Sequence, residues 1–547
     1  MNMKKSVLSR KISRYSKPPL VENSIIFAFI FFGFIGILHH EMWRDEFQAW
    51  LLARDSASLI ELFQNMRYEG HPALWHLFLY GLTHITHNPL IMQIFHLLIS
   101  VVIIFLIVKK SPFSLLHRFL LSFGYLIFYE YTMISRNYNL GILFIFLFCT
   151  FYSSQKVKSV LLAIILALMA NTNAYGFMIS FALSLALIYD IFVKIKANKY
   201  QPQKIATTLI ILFLGWAISL AQIIRPLLVT DTIIRPLESA SSQIKSNPSL
   251  LQEVKKLGNA IANIWKSYVP IPLDFKARFW DSNILIHNPH IPSISTVSLA
   301  EILAVLASFL LLCLAIKFLS KQPLILIIYV TGTFSLIAFQ YLIFSGSMRH
   351  WGNLFILFIA CFWLLQKELL QEPNSSQTQR DENKFKSQFL TVIFSIQLLA
   401  GFHAYSIDMF YPFSMGKEVA NYIKENQLEK MTILGQSMRM LVTIPGYLDQ
   451  KIYYPETEEF GSFWTKKTKK KNSEELLKDI EKLIRQTNND VLLITSYRLK
   501  YTSLFSPYIK ITESKTFRKP SIAPNENFYR LYIIQEVKPI LNKPNKS

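Results

Sequence analysis

The sequence predicts an α-helical polytopic membrane protein with about eleven transmembrane helices and a small C-terminal extracytoplasmic α/β domain. Three observations predict it. The 547-residue chain is 52% hydrophobic and only 17% charged. Its apolar residues fall in runs close to the roughly 20 residues needed to cross a ~30 Å hydrocarbon layer. Its Lys and Arg residues, which give a formal net charge of +22, sit mainly in short loops between those runs. That placement orients membrane helices and does not read as a nucleic-acid surface. Backbone amides in lipid must bond within their own segment, so the runs are read as helices.

The predicted spans are 23–39, 90–108, 115–134, 138–154, 159–171, 175–193, 206–224, 297–316, 323–344, 351–366 and 389–406. The basic tail 1–22 runs into a first span without a small-residue cleavage site, so that span is read as uncleaved. Basic residues then follow alternate spans: Lys109 and Lys110, Lys156 and Lys158, Lys194, Lys196 and Lys199, Lys317 and Lys321, Lys384 and Lys386. Eleven spans place all of these with the N-terminal tail on the cytoplasmic side of a plasma (inner) membrane. The polar stretch 367–388 is a cytoplasmic linker. Cys149, Cys313 and Cys361 all lie inside spans, which excludes a disulfide framework.

The membrane domain 23–406 thus exposes the loops 40–89 and 225–296 on the outer face, followed by the domain 407–547. That domain begins with an amphipathic helix, PFSMGKEVANYIKEN, with Met415, Val419, Tyr422 and Ile423 on one face. Strand-like runs follow at 431–436, 490–496 and 527–534, with a helix at 473–484. The run KKTKKK (466–471) reads as a solvated loop or as a contact for anionic lipid head groups.

The first outer loop carries the chemistry. Trp43, Phe47, Trp50 and Leu51 share a helix face, which suits a helix lying flat at head-group level. Ser58 and Glu61 form a capping box for a second helix, and His71-Pro72 opens a third, interfacial one. Glu41, Asp45 and Glu46 follow the first span, and Glu69 and His71 precede the third helix. Carboxylates at that depth are hydrated, paired or used. His39, His40, Glu41 and His71 offer ligand types for a divalent metal, but histidines adjacent in sequence are poor geometry for helical ligands, and no cofactor is expected. No phosphate-cradling glycine motif is evident, which argues against nucleotide use.

WRDE (43–46), with its acidic pair after the first span, and YEGHPAL (68–74) resemble the signature of the GT-C superfamily, membrane glycosyltransferases such as the protein O-mannosyltransferases and lipid A aminoarabinose transferases. The large loop after the seventh span and the C-terminal domain fit the same layout. ISRNYNLG (134–141), NTNAYG (171–176) and SMRHWGN (347–353) look like motifs of an uncharacterised bacterial branch. The departure is His71, where the aminoarabinose transferases carry a Lys. The resemblance implies inverting transfer of a sugar from a polyprenyl-phosphate-linked donor to an extracytoplasmic acceptor.

On that reading Asp45 is the general base, because a carboxylate with a reference pKa of about 3.9 is ionised at neutral pH. Glu46 or Glu69 shares the work or orients the acceptor. Arg136, Arg225 and Arg349, with His71, bind the donor phosphate, since the planar guanidinium matches phosphate oxygens in pairs. Arg235 is a further candidate. Asn171, Asn173, His350 and Trp280 are the candidate substrate contacts, with helix capping the alternative for the asparagines and packing that for the tryptophan. The expected partners are the lipid-linked donor, membrane lipids and an acceptor, without nucleic acid. The alternative is a multi-pass transporter or flippase, which would need ionisable groups along a mid-membrane path.

Overall fold

The fold is described from a computed structural model over residues 19–152, 158–199, 201–228, 250–286, 293–294, 297–369, 377–465, 469, 471, 473–487, 489–499 and 509–537. In chain order the helices are α1 (Pro19–His39), α2 (Arg44–Arg54), α3 (Leu59–Asn65), α4 (Leu74–Thr83), α5 (Leu90–Lys110), α6 (Leu115–Ser122), α7 (Tyr138–Tyr152), α8 (Ser159–Ala170), α9 (Ala174–Lys196) and α10 (Pro202–Leu228). Then come α11 (Leu250–Tyr268), the hairpin β1 (Ser293–Ile294) and β2 (Val297–Ser298), α12 (Leu299–Leu319), α13 (Pro323–Leu342), α14 (Met348–Leu369) and α15 (Gln377–Phe410). The C-terminal domain contains α16 (Gly416–Glu425), β3 (Thr432–Gln436), α17 (Met438–Leu441), α18 (Thr443–Leu448), β4 (Ile452–Tyr454), β5 (Glu459–Gly461), α19 (Ser473–Thr487), β6 (Val491–Thr495), β7 (Ile509–Arg518) and β8 (Phe528–Glu536).

Among the described residues eight helices are long and apolar enough to cross a membrane, and α7 and α8 are shorter apolar helices. Their outward faces are apolar: Phe27, Phe31 and Phe34 on α1 and Ile210, Phe213 and Leu214 on α10 are exposed. Such faces fit lipid rather than water. At the centre stands α14, with Leu354 to Leu365 wholly buried. Basic groups gather at the end remote from the C-terminal domain. Lys109 and Arg118 meet Glu22 there, Lys321 and Lys386 meet Glu382, and the Lys367 ammonium faces the Thr150 carbonyl at the end of α7.

One predicted span is not a continuous helix. The segment 115–134 is α6, an extended break at Gly124, a π-helical turn over Tyr125–Glu130 and a loop. Tight packing on α15 dictates the break. A Cβ on Gly401 would meet the backbone of Phe123 and Tyr125 within about 3 Å. The Gln397 carboxamide accepts from the Leu126 N–H at 3.3 Å and donates to the carbonyls of Ser267 and Tyr268 at 2.8 and 3.2 Å. Non-helical backbone at membrane depth is tolerated where protein supplies its hydrogen bonds.

The C-terminal domain is a six-stranded mixed sheet in the order β5-β4-β3-β6-β8-β7. β3 runs parallel to β4 and β6, and the remaining pairs are antiparallel. Leu492 and Ile494 of β6 pack with α16, α17 and α18, while Val491 and Leu493 pack with α19 on the other face. A central strand covered on both faces reads as a continuous apolar run, which is why VLLIT was recognisable as a strand. β4, β5 and β7 were missed. The first two have three residues each, and β7 is a largely exposed polar edge strand.

The expectation of α2 lying flat at head-group level is corrected by its burial, which is complete from Glu46 to Ala53. The C-terminal domain covers it. Gly446 of α18 sits so close that a Cβ there would clash with the Phe47 ring, and Tyr447 packs edge-on to the same ring at 4.6 Å. Arg54 pairs with Asp449 at 2.8 Å, and Ser462 hydrogen-bonds Asp55. The S-x-x-E cap of α3 is present, although Glu61 accepts from the Ala57 N–H rather than from Ser58.

Gln397→Leu removes three hydrogen bonds at the break beside α15. It is expected to destabilise the membrane domain by about 1–3 kcal/mol, the cost of leaving buried backbone groups unpaired, read as a lower unfolding midpoint in detergent.

Candidate active site

The loop between α1 and α2 is fixed by a buried carboxylate. Glu46 accepts from the backbone N–H of Trp43 at 3.1 Å, from the N–H of Ser135 at 2.6 Å and from His40 Nε2 at 3.1 Å. The other ring nitrogen of His40 meets Asp408 of α15 at 2.8 Å. Burial works to lower the His40 imidazole. Asp408 and Glu46 outweigh it and push the ring up to about 10, so it is a cation held between two carboxylates. The bond from Ser135 brings the 134–137 turn, with Arg136, against the start of α2.

Asp45 stands next to this anchor with a quarter of its side chain open. Arg349, one residue into α14, reaches its carboxylate at 3.0 Å, and Arg136 donates to its backbone carbonyl. Burial works to raise the Asp45 carboxyl. The guanidinium groups of Arg136, Arg349, Arg44 and Arg439 overcome it and hold the group below the ordinary carboxylate value. Arg349 lies over the rings of Trp43 and Trp280, at 5.0 and 5.5 Å, which are themselves edge-on at 4.8 Å. Two aromatic faces and a carboxylate therefore fix this cation in one place.

The C-terminal domain closes the other side. Arg44 lies between Asp45 and Glu526, at 3.8 and 3.7 Å. Burial pushes the Glu526 carboxyl up to about 7, opposed by bonds from Ser414 and by Arg44. Arg439 of α17 adds a further positive charge beside Asp45 and lies over the Trp464 ring at 5.7 Å.

Opposite Asp45 three loop motifs meet. Tyr138, Tyr175 and His350 form a ring cluster with centroids 5.3 to 6.3 Å apart. His350 Nδ1 accepts from the Ser347 N–H at 2.8 Å, which leaves Nε2 to donate to the Tyr138 oxygen at 2.8 Å. The N-terminal ends of α7, α9 and α14 point at this cluster, so their unpaired amides add to the positive potential. His71 packs edge-on to Tyr138 at 6.4 Å, delivered by a turn in which Gly70 takes φ +70°. Burial, then Arg136 and Arg349, pull the His71 imidazole down to about 3, so it stands neutral.

The buried Nε of Arg136, the Nε and Nη1 of Arg349, the Nδ1 of His71 and the hydroxyl of Tyr175 lack hydrogen-bond partners among the described residues. Buried guanidinium N–H groups without acceptors are costly. An anion with several oxygens, such as a phosphate, would satisfy them.

Of the residues singled out by sequence, Asp45, Arg136, Arg349, His71 and His350 converge here, with Glu46 and Trp280 directly behind them. Trp280 also donates to Glu130 at 3.0 Å. Glu69 does not join them. It accepts from Gln48 at 3.0 Å and lines a separate cavity of about 650 Å³ between the first loop and the C-terminal domain. Asn171 bonds the carbonyls of Ala167 and Gly215, and Asn173 caps α9 by accepting from the Gly176 N–H. The Arg225 side chain and Arg235 lie outside the described residues, as does most of the KKTKKK run. His39, His40, Glu41 and His71 are not a cluster, since His40 is occupied by Glu46 and Asp408 while His71 faces Asp45. Sequence reasoning missed Arg44, Arg439, Tyr138 and Tyr175. Three of them lie inside motifs it quoted; Arg439 carried no local signal.

The His40 cation sets a pH dependence. Its folded value is raised from 6.5 to about 10, so the stabilisation is complete below pH 6.5 and fades as the pH rises towards 10. His40→Ala strands two buried carboxylates and is expected to cost about 3–5 kcal/mol near neutrality. The gap in unfolding midpoint between wild type and variant should narrow as the pH approaches 10; a constant gap contradicts the charged assignment.

No protein-family model matches the chain and no curated protein matches it, so the chemistry of the site rests on its own geometry.

Proposed function

We propose that this protein is an inverting membrane glycosyltransferase of GT-C type that takes its sugar from a polyprenyl-phosphate-linked donor. One observation carries the reading: a part-exposed carboxylate, Asp45, lies 3.0 Å from a guanidinium that keeps further buried N–H groups unpaired. A base and a phosphate-binding cation are thus adjacent, as group transfer from a phosphate requires. Basic groups gathered at the opposite end of the bundle support an extracytoplasmic position for the site in a plasma (inner) membrane.

In the reaction the acceptor oxygen or nitrogen attacks the anomeric carbon and its proton passes to Asp45. The bond from that carbon to the phosphate oxygen breaks, and the electron pair leaves with polyprenyl phosphate. Arg136 and Arg349 neutralise the charge that grows on the leaving phosphate, so it departs unprotonated. His71, neutral and with Nδ1 open, offers a hydrogen bond in place of a fixed charge. With Arg349 on its carboxylate Asp45 is a weak base. A donor phosphate competes for that guanidinium, so binding of donor frees the carboxylate and raises its basicity. Glu46 positions the loop and takes no proton in this scheme.

Asp45→Asn keeps the size of the side chain and leaves the Glu46 anchor untouched. It is expected to lower sugar transfer by at least about 10²-fold, the usual share of a general base, with folding preserved. Lipid-linked sugars of a strain carrying this variant should accumulate the donor while one envelope glycan disappears. An unchanged glycan profile ends the transferase reading, and lost uptake with every glycan intact favours a transporter.

A further inference from the structure

A second cavity, of about 550 Å³, is lined by Ser345, Gly346 and Trp351, which flank Arg349 in sequence at the start of α14. Its lining includes Lys255, Lys256 and Lys266 of α11, opposed by Asp281. Lys266 is 93% buried and its ammonium lies 4.1 Å from the Trp351 ring centroid. Its hydrogen bond goes to Asn263 Oδ1 at 2.9 Å, a neutral acceptor. Burial pulls this amine down to about 8, against Asp281 and Glu301. Asn263 in turn donates to Gln340 Oε1 at 2.8 Å, which leaves the buried Gln340 Nε2 without a partner among the described residues. Asp281 accepts from the Met348 N–H at 2.8 Å, and Lys255 stands 3.7 Å from Glu301. The lining therefore carries three lysines, one of them paired with Glu301, against Asp281, with a buried ammonium held by a neutral acceptor and an aromatic ring and a buried amide N–H that lacks a partner among the described residues.

The surroundings identify the carrier of the missing anion. α11 is two-faced: Lys255, Lys256, Asn259, Asn263 and Lys266 turn to the cavity, while Leu250, Leu251, Val254 and Leu257 are exposed on the other side. Leu342, Ile343 and Phe344, just before the cavity-lining Ser345 and Gly346, are exposed as well. A polar, basic chamber flanked by bare apolar side chains matches a head group whose tail stays in lipid.

We propose that this cavity is a second anion site, which holds the phosphate of a membrane lipid, with Lys266 as its cation and the Gln340 amide as its hydrogen-bond donor. Capture of a lipid phosphate here does not depend on transferase chemistry. Gly346 and Trp351 line this cavity while Arg349, between them in sequence, reaches Asp45, so the two anion sites share the start of α14.

The test is equilibrium binding of farnesyl phosphate to the full-length protein in uncharged detergent, with farnesol and inorganic phosphate as comparators. Wild type is expected to bind two farnesyl phosphates per chain. Lys266→Met should weaken one of them by at least about tenfold, the loss of one charge-assisted hydrogen bond. Gln340→Glu should do the same while retaining the acceptor for Asn263, which separates lost binding from lost folding. Arg349→Met should affect the other site. If wild type binds one molecule and Lys266→Met abolishes it, the cavity assignment stands and the donor reading of the Asp45 centre fails. If neither Lys266→Met nor Gln340→Glu changes binding, the cavity assignment is overturned. Equal affinity for inorganic phosphate and farnesyl phosphate at the Lys266-dependent site overturns the lipid.

Discussion

The buried Glu46 carboxylate is the constraint on which the site depends. It joins three pieces of backbone: the end of α1 through His40, the start of α2 through Trp43, and the turn before α7 through Ser135. A carboxylate buried this deeply must be paired and hydrogen-bonded. Meeting that demand puts Asp45, its neighbour in sequence, within reach of Arg136. His40 extends the anchor to Asp408 on the last membrane helix, so the first and last helices of the bundle share one charge network.

Around that anchor the C-terminal domain acts as a wall of the site. Gly446 lets α18 approach Phe47, and Arg54 and Asp55 tie the far end of α2 to the same domain. Arg44 and Arg439 then add positive charge from above, while α7, α9 and α14 bring their N-terminal ends from below. The result is an excess of fixed positive charge around one part-exposed carboxylate. Lys266 repeats the pattern on a smaller scale in the cavity lined by Gly346 and Trp351. Both sites present buried N–H groups whose acceptors the described protein does not supply.

Much of the fold was legible in the sequence because the bilayer imposes a length and a polarity on each helix. Ten of the eleven proposed spans are continuous helices, with ends within a few residues of the proposed ones apart from α15, which starts well before its apolar stretch. The eleventh, 115–134, failed because its apolar content is real while its geometry is set by α15, whose Gly401 and Gln397 both admit and satisfy the break. α2 was legible as an amphipathic helix, but its apolar face gave no sign of whether lipid or protein would cover it. The strands that escaped notice were those too short or too polar to carry an alternating pattern.

The site was legible in part. WRDE, ISRN and SMRH each placed an ionisable residue beside a helix end, and the resemblance to a family signature singled them out. The sequence by itself thus determined the membrane helices, the candidate acids and arginines, and the existence of a C-terminal α/β domain. Only the tertiary structure decided that Glu46 is an anchor while Asp45 is the open carboxylate, that Glu69 faces a different cavity, and that Asn171 and Asn173 hold helix ends. The reason is physical. Adjacent residues on a helix point about 100° apart, and which of two neighbouring carboxylates meets buried donors depends on partners from distant parts of the chain.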